Sequence, residues 1–233
     1  MKKIFNSNNL LRFVSLTFII SIAYVSVRIA FAPSVAPNSD VTVRVKGDYV
    51  LMLLQCCVGL LAMLIPNILR RTIRLNIPSV MLIMYAVFLY CAIYLGEVRN
   101  FYFTMPHWDT ILHTFSGVAL GALGFSLVSI LNKSESLHLH LSPVFVALFA
   151  FSFAVSLGVI WEIYEFFTDS LLNTNMQKFA LESGELLVGQ AALADTMKDL
   201  IVDMAGAFVM SVIGYVSMKY KKGWLERLQL KSK

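Results

Sequence analysis

The sequence predicts an all-α, polytopic integral membrane protein: a helical bundle of about six transmembrane helices with both termini on the cytoplasmic side. Composition is the first reason. Of 233 residues, 58% are hydrophobic and 14% charged, with a mean hydropathy of +0.73, outside the profile of a soluble domain. Run length is the second. The apolar stretches 10–32, 49–69, 78–98, 110–131, 143–167 and 196–218 each reach the roughly 20 residues that cross a hydrocarbon core of about 30 Å. Charge asymmetry is the third. With the N-terminus inside, thirteen of the nineteen Lys and Arg fall on the inner side, including Arg70, Arg71, Arg74 and the basic tail 219–233. The outer side keeps Arg28, Arg44, Lys46, Arg99, Lys178 and Lys198. Connections this short leave 1–233 as one transmembrane domain. The net charge of +5 then faces the lipid surface. No folded basic face is present for nucleic acid, which is excluded as a partner.

The first helix starts after Met1-Lys2-Lys3, and Ala30-Phe31-Ala32 mimics a signal-peptide cleavage site. Pro33 directly after that site, and Arg12 and Arg28 bracketing a long apolar run, favour a retained anchor instead. Helix two carries one polar residue near its middle, Gln55, expected to hydrogen-bond to a neighbouring helix. It stops at Pro66-Asn67 before Arg70-Arg71. Helix three ends outward at Glu97, read as a solvated interfacial carboxylate that could also join a cluster. Cys56, Cys57 and Cys91 all fall in spans and read as small packing residues, without metal or disulfide spacing.

The outer loop 99–109 holds Phe101, Tyr102, Phe103 and Trp108, the pattern of an interface belt. Pro106 is placed near the first turn of helix four. The inner loop 132–142 contains His138 and His140, expected to be solvated. The long outer connection 168–195 has room for a short surface helix at 179–187 that could cover a site as a lid.

The acids carry the functional signal. Twelve of the fourteen Asp and Glu belong to the outer half of this topology, a bias that no topology rule demands. Ionisable groups in a span cost roughly 2.5–3.5 kcal/mol each on insertion scales. Helix four brings Trp108-Asp109-x-x-x-His113 with Ser116, helix five Trp161-Glu162-x-x-Glu165-x-x-x-Asp169, and helix six Asp195-x-x-x-Asp199-x-x-x-Asp203-x-x-Gly206. Spacings of three and four return to one helix face. At about 1.5 Å per residue, Asp203 lies roughly 12 Å below Asp195, and Glu162 about 10 Å below Asp169. The three stripes therefore descend from one surface to a similar depth. Gly117-x-x-x-Gly121-x-x-Gly124 and Ala205-Gly206-Ala207 allow close backbone approach, which could draw helices four and six together.

Carboxylates this close must be protonated, paired or neutralised by a cation. Lys198 and Arg99 are the nearby basic candidates. Asp109, His113, Glu162, Glu165, Asp199 and Asp203 make a candidate ligand and catalytic set for a divalent cation. Oxygen donors with one imidazole suit Mg²⁺, Mn²⁺ or Ca²⁺, with Zn²⁺ reachable through His113 and two carboxylates. Such an ion could activate water against a phosphoester or amide at the membrane surface. Two alternatives stay open: protonated carboxylates beside His113 relaying ions or protons in a transporter, and a non-catalytic binding or structural network. Gly-rich phosphate loops, His-Glu-x-x-His and Gly-x-Ser-x-Gly are absent. Ser116 reads as a helix-packing serine.

These motifs, over residues 101–215, resemble the YjdF-like proteins, a family of bacterial inner-membrane proteins with no established reaction. The resemblance implies a multi-pass address in the bacterial cytoplasmic membrane and little chemistry. The order of an Asp/His helix, a Glu-rich helix end and an Asp helix followed by Gly is more distantly similar to VanZ-like proteins. Glu165 here stands where a glutamine is usual there, and Asp203 where an asparagine-like residue is usual. The aspartate spacing is also similar to that of CDP-alcohol phosphotransferases, but their Asp-Gly-x-x-Ala-Arg segment is missing.

Overall fold

Among the described residues, six helices are long and apolar enough to cross a membrane: Ser7–Phe31, Lys46–Thr72, Ser79–Val98, Trp108–Asn132, Pro143–Leu172 and Gln190–Lys219. The computed structural model describes residues 6–34, 44–72, 74–133, 141–181 and 185–232. The expected loop histidines His138 and His140 lie outside the described residues.

Helix α1 (Ser7–Phe31) starts where the Asn6 side chain accepts the Asn8 N–H at 3.1 Å, a cap for one of the orphan donors of the first turn. The second span is two pieces, α2 (Lys46–Ala62) and α3 (Ile65–Thr72), with a turn before Pro66. Proline cannot continue the helical hydrogen-bond ladder, so the break falls there. The third span begins as α4 (Ser79–Leu89) and widens into a π-helix over Tyr90–Val98, closing with Arg99 N–H to the Tyr94 carbonyl at 2.9 Å. Nothing in its composition marks that widening. A short α5 (Phe101–Thr104) leads through a turn to α6 (Trp108–Lys133). Helix α7 (Pro143–Leu172) opens on the Ser142 cap with Pro143 in its first turn and ends at Asn173 in the left-handed region. Helix α8 spans Gln190–Lys219. Helices α7 and α8 thus run further outward than the apolar runs alone, and Asp169 and Asp195 are both helical.

The helices pack in two groups. Val14, Phe18, Cys56, Met63, Ala86 and Ile93 fill the space between α1, α2 and the third span. Ala122, Phe125, Val128, Val146, Ala150 and Met210 fill the inner half of the α6–α7–α8 group. Large apolar side chains such as Ile20, Leu148, Ile160 and Phe208 face outward, as a lipid-facing surface requires. Gln55 meets its expected partner: its amide donates to Glu97 at 3.1 Å across to the third span.

Glycine decides how α6 and α8 meet. A Cβ on Gly117 would collide with the backbone carbonyl of Asp203, and one on Gly206 with the carbonyl of Thr114. The two backbones touch at these points, as close small-residue packing permits. Beyond Lys219 the chain folds back. Trp224 N–H donates to Ser217 at 3.1 Å and Leu230 N–H to Ser126 at 2.5 Å, while β2 (Lys231–Ser232) pairs antiparallel with β1 (Leu75–Asn76).

Candidate functional site

The contact of α6 with α8 puts Asp203 directly beside His113. Its Oδ2 lies 3.2 Å from His113 Nδ1, and its Oδ1 accepts from the Ser116 hydroxyl at 2.7 Å. Ser116 also reaches its own helix at the His113 carbonyl, 2.8 Å away. Gly158 of α7 leaves room for this carboxylate, since a Cβ there would stand 2.8 Å from Asp203 Oδ2. Three helices thus fix one side chain. Both ring nitrogens face carboxylates, Nδ1 toward Asp203 and Nε2 toward Asp109; a proton kept on Nδ1 by Asp203 would leave Nε2 as the ligand atom.

Asp109 stands on the Nε2 side, and Asp199 joins the two in one group. Asp109 Oδ1 is 3.6 Å from His113 Nε2, and one ligand atom each from Asp109, His113 and Asp199 lie within 4.8 Å of one another. Asp199 is 2% exposed and its Oδ1 has no hydrogen-bond partner. Glu162 is 5% exposed, and neither carboxylate oxygen makes a hydrogen bond of ordinary geometry, although Gln177 and Thr196 lie near it. A buried carboxylate without donors loses its hydration for nothing in return. Glu162 and Asp199 thus keep buried carboxylate oxygens with no hydrogen-bond partner of ordinary geometry.

Glu165 is buried within electrostatic reach of Glu162, Asp109 and His113, and accepts the indole N–H of Trp161 at 2.9 Å. All six residues singled out in the sequence, Asp109, His113, Glu162, Glu165, Asp199 and Asp203, thus lie at one end of the α6–α7–α8 group. Asp169 does something else. Its carboxylate accepts Thr174 Oγ1 at 2.6 Å and the Met176 and Gln177 N–H groups at 2.7 and 2.9 Å, so it shapes the chain leaving α7.

The basic partner differs from the expectation. Lys198 and Arg99 are exposed, and the cation in the cluster is Lys178, from the loop between α7 and α8. Its ammonium bonds Asp109 Oδ2 and both oxygens of Asp195, at 3.1 and 3.0 Å. Burial alone lowers the Lys178 pKa, but Asp109 and Asp195 outweigh it, so the ammonium is held above the ordinary lysine range. The lid expectation is also corrected in form. Leu181 N–H bonds the Glu185 carbonyl and Leu187 N–H the Phe179 carbonyl, both at 2.9 Å, around an antiparallel bridge of Ala180 with Leu186. The segment is a hairpin whose described residues are extended, because the Asn175 side chain takes up both polar groups of Ala180.

The third span reaches the same end. Arg44 caps its last turn by donating to the Glu97 and Val98 carbonyls at 3.1 and 3.2 Å. Glu97 is half-buried, and both Asp109 and Lys178 act on it electrostatically. The Tyr102 ring lies against Gly96. Burial first, then Glu97 and Asp109, push its phenol well above the usual tyrosine range.

A match to a family extends over residues 11–220 and so takes in every spanning helix and every site residue above. The chain belongs to the family described as Predicted membrane protein (DUF2238). An uncharacterised protein of Thermotoga maritima, similar to this chain, is 29% identical over 163 residues, 70% of this chain and 76% of its own length. No solved structure matches.

Within this family member, sequence reasoning missed Lys178 and Tyr102. Lys178 sits in a polar loop where lysine is ordinary, and only the folded hairpin reveals its target. Tyr102 looks like a belt aromatic, and the glycine that seats it, Gly96, lies in the π-helical turn that composition does not betray.

Proposed function

We propose that this multi-pass membrane protein holds a divalent cation at the acidic end of the bundle, with Asp109, His113 and Asp199 as ligands. Glu162 and Glu165 stand beside them to complete the shell or move protons, and Asp203 orients His113. The carrying observation is the convergence of three ligand atoms within 4.8 Å, joined by a histidine already fixed through its other nitrogen. Oxygen-rich coordination with one imidazole fits Mg²⁺, Mn²⁺ or Ca²⁺, and Zn²⁺ with two carboxylates. Such an ion acts as a Lewis acid and lowers the pKa of bound water. The expected role is metal-assisted or acid/base chemistry on a substrate met at the membrane surface. The positive-inside distribution puts this end outside the cytoplasm. The YjdF-like resemblance supports a bacterial inner membrane as its address, with the lipid bilayer as its surroundings.

Ion-coupled transport has less support: Phe125, Met210, Val128 and Val146 pack the group below the cluster, and the buried polar side chains described there, Ser126, Ser211 and Ser217, are uncharged. A non-catalytic network has one observation in its favour: Lys178 already neutralises Asp109 and Asp195 without a metal. Metal analysis of the purified protein separates these readings. Cation retained by the wild type and lost in Asp199→Asn and Glu162→Gln supports the site. Thermal destabilisation of those variants with no metal in any of them would establish the network reading instead.

A further inference from the structure

We propose that the ligand of this site carries a phosphoryl group, held by its non-bridging oxygens between the Lys178 ammonium and the divalent cation on either side of Asp109. This rests on the metal site proposed above and adds a substrate class to it.

Asp109 faces two cation positions with its two oxygens. Oδ1 looks toward His113 Nε2 at 3.6 Å and Oδ2 binds the Lys178 ammonium, while Asp109 also belongs to the ligand group with His113 and Asp199. Two positive centres beside one carboxylate resemble two-metal sites, phosphatases and nucleases among them, whose ions lie about 3.5–4 Å apart. Here an ammonium stands where the second ion would be. Phosphoryl groups spread charge over several oxygens and need more than one positive partner to bind them.

Lys178 is also placed with care. Asp169 clamps Thr174, Met176 and Gln177, and Asn175 pairs with Ala180 in both directions. Lys178 itself has φ of +49°, an uncommon conformation for a residue with a side chain. A loop merely neutralising surface charge has no need of such constraint. The side chain is about one-third exposed while its aspartate partners are largely covered, so the ammonium is the part of this pair that an incoming ligand can reach.

The surrounding carboxylates set the order of binding. With Glu162, Glu165, Asp199 and Asp203 unneutralised, an anion is repelled, so phosphate enters only after the metal.

The test is calorimetric titration of purified full-length protein in detergent with Mn²⁺, with and without inorganic phosphate. Wild type is expected to bind Mn²⁺ at least fivefold more tightly with phosphate present, and to bind no phosphate without metal. Lys178→Met is expected to bind Mn²⁺ and lose the phosphate effect, and Lys178→Arg to keep most of it. Phosphatidic acid in mixed micelles competing with inorganic phosphate assigns the group to a lipid headgroup. Lack of competition assigns it to a water-soluble phosphate; both sources keep the class. Mn²⁺ binding that phosphate leaves unchanged in wild type, or changes equally in Lys178→Met, overturns the inference while the metal site stands. Phosphate binding by metal-free wild type overturns it without any variant. Wild type that binds none of the divalent cations overturns the metal reading, and this one with it.

Discussion

Replacing Asp203 by asparagine nearly keeps the side-chain volume but removes the negative charge, and one acceptor oxygen, beside His113 Nδ1 at 3.2 Å. With the Nδ1–H tautomer that the metal-site proposal requires, the carboxylate accepts the imidazole N–H. The Ser116 hydroxyl at 2.7 Å holds its other oxygen, which fixes the carboxylate's rotation. An asparagine that keeps its oxygen toward Ser116 turns its amide N–H₂ toward Nδ1. The imidazole must then accept at Nδ1 and carry its proton on Nε2, the atom that should face the cation. Loss of such a carboxylate–histidine pair typically weakens metal affinity 10–100-fold, about 1.4–2.7 kcal/mol at about 1.4 kcal/mol per decade. Ser116→Ala removes a neutral hydrogen bond and leaves the tautomer intact, so a smaller effect of about 0.5–1.5 kcal/mol is expected. Mn²⁺ titration calorimetry of wild type, Asp203→Asn and Ser116→Ala measures all three. Affinity for Asp203→Asn within twofold of wild type, with helicity unchanged, would refute the assignment of Nε2 as ligand.

Gly206→Val should separate α6 from α8, because the new side chain meets the Thr114 carbonyl; overpacking of about 1–3 kcal/mol is expected as a lower Tm in detergent together with lost metal binding. Asp169→Ala removes three hydrogen bonds to the loop that presents Lys178. Leaving those donors unpaired costs about 1–3 kcal/mol locally, read as faster hydrogen exchange over residues 174–178 with α7 unchanged. The Lys178 ion pair has a defined pH signature. Its folded pKa is raised above the ordinary 10.5, so its stabilisation is fully present below that pH and fades as pH rises through the folded value. The Tm difference between wild type and Lys178→Met should therefore be flat from pH 7 to 9 and shrink above about 10.5.

Much of this site is legible from periodicity because helices are rigid rulers. Once Asp109 and His113, Glu162 and Glu165, and Asp199 and Asp203 sit one turn apart on helices of known direction, their depth follows. Gly117 and Gly206 supply the approach that joins two of the stripes. What stayed hidden depends on backbone that has no ruler. Lys178 arrives through a hairpin stabilised by Asn175, and its distance in sequence from Asp109 says nothing of their contact. Asp169 shares the face of Glu162 and Glu165, yet it lies in the last turn of α7, where free N–H groups of the following chain claim it. The π-helical turn at Tyr90–Val98 has the composition of any apolar helix, so the seating of Tyr102 against Gly96 could not be foreseen, whereas the place of Glu97 at the outward end of the third span could be read.

The central claim is that Asp109, His113 and Asp199 hold a cation, and elemental analysis of protein extracted from membranes tests it most directly. About one equivalent of a single divalent metal per chain, retained through gel filtration and lost in His113→Gln and Asp199→Asn, is the predicted result. Wild-type protein that carries no metal and takes up none of Mg²⁺, Mn²⁺, Ca²⁺ or Zn²⁺ on reloading would contradict it.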